Sequence, residues 1–102
     1  MPVGHVAHPE AGAGLGLVVL ADDRKLCDRF GAEGFTAVCA DSVDEGIEWL
    51  LASDRVRGEG VGVLAFAEVD VTRDDVHAVF VAEEMDDLTW TRALELFRAK
   101  LG

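Results

Sequence analysis

Apolar residues fall into a few short runs along this chain, separated by polar stretches that carry helical spacing. The run Leu15-Gly16-Leu17-Val18-Val19-Leu20 stands between a Gly/Ala turn at Glu10–Gly14 and the acidic Ala21-Asp22-Asp23. A continuous apolar run of this length, bounded by turn residues, has the pattern of a strand buried on both faces. It is the predicted central strand. Arg24 to Glu33 follows with Leu26, Cys27 and Phe30 at helical spacing, and Gly34 supplies a stop. Phe35 to Ala40 reads as a second buried strand, ended by Asp41. Ser42-Val43-Asp44-Glu45 has the Ser-x-x-Glu form of a capping box, so a helix should start there. In that helix Val43, Ile47, Leu50 and Leu51 are placed to face the sheet, while Trp49 points elsewhere and is either a rim residue or an interface candidate.

Arg55 to Gly60 reads as a polar loop, Val61 to Phe66 as a third buried strand and Val76 to Ala82 as a fourth. The nine residues between them, Ala67 to Asp75, pose a choice. They either form a short irregular crossover or close a hairpin through Thr72-Arg73-Asp74-Asp75; parallel crossovers usually take a dozen or more residues. A last amphipathic helix spans about Asp87 to Lys100, with Trp90, Leu94, Phe97 and Leu101 on one stripe. At the other end Val3 to Pro9 has the composition of a short extended edge strand, which Pro9 would end. The expectation is one α/β domain over residues 1–102, a three-layer sandwich with three helices. Its sheet is mostly parallel and four-stranded, in the order 2-1-3-4 when the core strands are numbered along the chain.

Composition narrows the function classes. Twenty acidic against nine basic residues give a net charge of −11, which repels phosphate backbones and anionic lipid. Nucleic-acid and membrane roles are therefore not expected, and cations or basic partners are. Cys27 and Cys39 form no CxxC pair and lie in apolar patterns, as core thiols do. No apolar run reaches membrane-span length and no leader pattern opens the chain, so a cytoplasmic location is expected.

Several segments together resemble the dienelactone hydrolase family, a branch of the α/β-hydrolases. The similarity is carried by Gly4-His5-Val6-Ala7-His8-Pro9-Glu10, by the central apolar run, and by Cys27 to Phe35 with the strand after it. It continues through Glu45-Gly46-Ile47-Glu48-Trp49-Leu50, Gly60 to Phe66, and Leu88 to Arg98. The resemblance implies a truncated α/β-hydrolase scaffold, since the family is about twice as long. It also implies a sharp Gly-x-Cys-x-Gly-Gly turn after the third strand, but here that turn reads Ala65-Phe66-Ala67-Glu68-Val69-Asp70. Ala67 stands in the nucleophile position and cannot attack a carbonyl. The family's oxyanion loop is shortened to Ala21-Asp22-Asp23, whose carboxylates oppose a developing oxyanion. The helix after the turn is missing too, which favours the short crossover. His77 faintly echoes the family's histidine, but it opens a strand rather than following one.

Two kinds of function are carried forward. The first is a non-catalytic binding or assembly module, a homodimer that buries sheet surface left bare by the missing helices. The second is an acidic metal-binding or receiver-like phospho-accepting domain. There Asp22, Asp23, Asp41, Glu68 and Asp70, from the carboxyl ends of successive strands, would hold Mg²⁺. The plain alternative for Asp22 and Asp23 is a helix start, where exposed amides favour negative charge. Small-ligand binding at the strand ends without chemistry is a third reading. No motif calls for a cofactor.

Overall fold

The computed structural model describes residues 3–102. Its elements follow in the order β1 (Val3–Ala7), β2 (Gly14–Val19), α1 (Arg24–Ala32), β3 (Phe35–Ala40), α2 (Val43–Ala52), β4 (Val56–Ala65), β5 (Val76–Val81) and α3 (Asp87–Leu101). They build one five-stranded mixed sheet in the order β1-β3-β2-β4-β5. The four core strands β3, β2, β4 and β5 are mutually parallel, and β1 joins the β3 edge antiparallel. Every residue of β2 is buried, as expected of a strand with neighbours on both sides and helices on both faces.

Helix boundaries follow local chemistry. Asp23 caps α1, its carboxylate accepting the Leu26 N–H at 3.1 Å. Ser42 caps α2, accepting the Glu45 N–H at 3.2 Å, and Asp86 caps α3, accepting the Thr89 N–H at 2.8 Å. The stop after α1 is Gly34, whose φ of 102° lies where a Cβ is disfavoured.

The sheet separates two apolar layers. On one side α1 and α3 pack Leu26, Cys27, Phe30, Leu94 and Phe97 against Leu15, Leu17 and Val19 of β2. Aromatic rings join those helices: Phe30 meets Trp90 at 4.5 Å between centroids and Phe97 at 6.2 Å, and the Arg29 guanidinium lies 4.0 Å over the Trp90 ring. On the other side α2 packs Ile47 and Leu50 against Val18, Val38, Val61 and Val63. Gly46 lets α2 approach closely, since a Cβ there would stand 2.6 Å from Val18 Cγ1.

Three expectations are corrected or decided. Arg55–Gly60 is not a loop throughout: β4 starts at Val56, pairs through Arg57 with Leu15, and resumes at Val61 opposite Gly16. Gly58 at φ 87° turns the intervening residues out as a bulge, which polar composition disguised as a loop. Leu51 does not face the sheet but is 54% exposed, because the stripe of α2 is satisfied by Ile47 and Leu50. Parallel pairing of β5 with β4 decides for the crossover over the hairpin, and Phe66–Asp75 makes it without a helix. Among the described residues no helix is long and apolar enough to cross a membrane.

Candidate functional site

Strand order sets where a site can form. From β2 the chain goes through α1 to β3 on one side, whereas from β4 it continues to β5 on the other. Diverging connections leave a crevice beyond the carboxyl ends of β2 and β4, the usual ligand position in open α/β sheets. A cleft of about 390 Å³ lies at these strand ends. Its lining includes Leu20 after β2, Asp41, Ser42 and Asp44 at the start of α2, and Asp70 and Arg73 of the β4–β5 link.

Arg73 organises this cleft. Its Nε and one terminal nitrogen donate to the two Asp75 carboxylate oxygens at 3.0 and 3.1 Å, and the other terminal nitrogen donates to Asp44 at 3.0 Å. A helix-free link is thereby tied both to itself and to the first turn of α2. Hydrogen bonding from Arg73 holds the Asp75 carboxyl below the usual carboxylate range. With its guanidinium committed to two carboxylates, Arg73 does not make the cleft an anion site. The oxygens of Asp41, Ser42 and Asp70 give it an acceptor-rich, negative lining suited to a cationic or hydrogen-bond-donating ligand.

The sequence candidates divide around this cleft. Asp41 and Asp70 share it, whereas Asp22, Asp23 and Glu68 are exposed and outside its lining. Asp23 is occupied as the α1 cap. Among the described residues no group of three His, Cys, Asp or Glu comes together to hold a metal ion. Ala67 is exposed in the β4–β5 link, and Phe66 before it packs partly against the α1/α3 layer. His77 is exposed at the start of β5, its ring lying against the backbone of Gly60. Trp49 is half-buried against the α2 layer, its ring centroid 6.4 Å from that of His8. Asp44 and Arg73 were missed by sequence reasoning. The available signal was an isolated cation within an acidic link.

Both thiols are buried. Cys27 Sγ donates to the Ala37 carbonyl at 3.1 Å and Cys39 Sγ lies 3.5 Å from the Asp23 carbonyl. Burial pushes both thiols upward, away from the reactive thiolate.

No protein-family model, curated protein or solved structure matches this chain.

Proposed function

We propose that this chain is a non-catalytic binding and assembly module, homodimeric, on a shortened scaffold similar to that of the dienelactone hydrolases. One observation carries the reading: the β4–β5 link contributes no helix, so the α2-side face of β5 is left uncovered. Val79 and Val81 on that face are 38% and 47% exposed, while Val63, the β4 partner of Val79, is fully buried under the α2 layer. Adjacent exposed β-branched residues at a sheet margin are a surface that association would bury. Support for the absence of hydrolytic chemistry comes from Ala67, which offers no nucleophile, and from the acids that fill the preceding loops. Sedimentation velocity at micromolar concentration is expected to show a species of twice the 10.9 kDa chain mass. A monomer at all concentrations, with no partner, would end this reading.

A further inference from the structure

We infer that Cys27 and Cys39 are a redox pair, which a low-molecular-weight disulfide converts to one internal disulfide joining α1 to β3 in the folded chain. The inference is independent of the assembly reading above. These are the only cysteines of the chain, both are free, and the elements that carry them pack together. Three contacts bring them to one spot. Cys27 Sγ lies 3.1 Å from the carbonyl of Ala37, which precedes Cys39 by two positions and so shares its face of β3. The same sulfur lies 4.0 Å from the carbonyl of His5, the β1 residue paired with Cys39. From the strand side, Cys39 Sγ lies 3.5 Å from the Asp23 carbonyl, which accepts the Cys27 N–H at 3.1 Å. Each sulfur rests on the immediate backbone surroundings of the other.

A disulfide requires Cα atoms within about 7 Å of each other, so the helix must lie close on the strands. It does. One turn beyond Cys27, a Cβ on Gly31 would stand 2.9 Å from Ala7 Cβ, and the side chain nearest Cys27 on its own side of β3 is the small Ala37. Oxidation gives up only two weak S–H donors and leaves no charge in the core. The exchange balances: one cysteine attacks the small disulfide as its thiolate, the first small thiol leaves with that proton, and the second cysteine displaces the other half. One S–S bond breaks and one forms; two electrons pass to the small disulfide and two protons leave on its thiols. Because Cys27 and Cys39 are 0% and 2% exposed and burial keeps both protonated, attack waits on local opening, and β1, an edge strand with one neighbour, borders the pair. The pair is slow to oxidise and slow to be reduced once closed.

Equilibration of the full chain in mixtures of oxidised and reduced glutathione, without denaturant, tests the pair, with non-reducing mass spectrometry reading the state of each cysteine. The expected product is a chain lighter by two hydrogens, with Cys27 and Cys39 in one cross-linked peptide pair and an unchanged far-UV spectrum. Its melting temperature should rise by on the order of 10 °C, since the bond closes a loop of about 13 residues in the unfolded chain. Dithiothreitol should return mass and melting temperature to their starting values. Cys39→Ala removes the partner and should show no such rise; if that variant does not fold, the mapping of the parent chain decides alone. Links between chains, glutathione adducts on both cysteines, or a disulfide that forms only in denaturant or lowers the melting temperature would overturn the inference. So would two free thiols that persist for days in oxidised glutathione alone.

Discussion

Gly46→Ala sets two known effects against each other, and the structure decides their sign. In an exposed helix interior this change would stabilise by about 1 kcal/mol through helix propensity. Here the added methyl would stand 2.6 and 2.8 Å from the two Cγ atoms of Val18. Val18 is fully buried on β2, between paired neighbours, and its branched side chain has little rotamer freedom. The helix must therefore lift. A shift of about 1 Å forfeits up to about half of the dispersion contact of Ile47 and Leu50 with the sheet. Overpacking of this kind costs about 1–3 kcal/mol, so the net expectation is a loss of about 1–2 kcal/mol after the propensity gain. Urea denaturation of Gly46→Ala, Val18→Ala and the double variant measures it. Val18→Ala alone should cost about 2–3 kcal/mol through lost burial and a cavity. In the double variant the new methyl enters the space vacated by the old ones, so its loss should fall short of the sum by about 1–2 kcal/mol. Losses that add within about 0.5 kcal/mol, or a Gly46→Ala protein more stable than the parent, would refute the close approach of α2 to β2.

Two further outcomes concern the acidic positions. Asp23→Ala removes the acceptor of the Leu26 N–H and should lower stability by about 1 kcal/mol, whereas exposed Asp22→Ala should change it by less than about 0.5 kcal/mol; thermal melts compare them. Asp75, through its hydrogen bonds from Arg73, and Asp86, through those from the Thr89 hydroxyl and then its N–H, are both held below the ordinary carboxylate range. A depressed folded-state value means stability that is present above the unfolded value of about 3.9 and lost as pH falls through the folded one. Melting temperature should therefore drop below about pH 4, and Asp86→Asn should flatten that drop while lowering stability at pH 7; an unchanged acid limb would count against the capping role.

The parallel core was legible because its signals are local and agree. Continuous apolar runs marked β2, β3 and the second half of β4, and Ser42 and Glu45 fixed the start of α2. Gly34 fixed the end of α1. What escaped was decided by contacts between distant residues. The bulge after Arg57 depends on β2 offering Gly16 as the place where pairing resumes, and the exposure of Leu51 depends on Ile47 and Leu50 already filling the side of α2 that meets the sheet. At the cleft, Asp41 directly follows β3, as its run of apolar residues implies, whereas Asp70 lies within the β4–β5 link. Their grouping with Asp44 and Arg73 depends on how a helix-free link folds back onto α2, and no periodicity encodes that.

The place of β2 has a consequence for how the molecule can come apart. Its ladder is shared with β3 and β4, one face lies under α1 and α3, and the other lies under α2. No partial fluctuation uncovers it, because releasing β2 means breaking two strand pairings and stripping both helical layers in the same event. Loosening can begin at β5, held by one neighbour, and travel inward. The protons on the β2 backbone then exchange with solvent only when the whole domain has come undone.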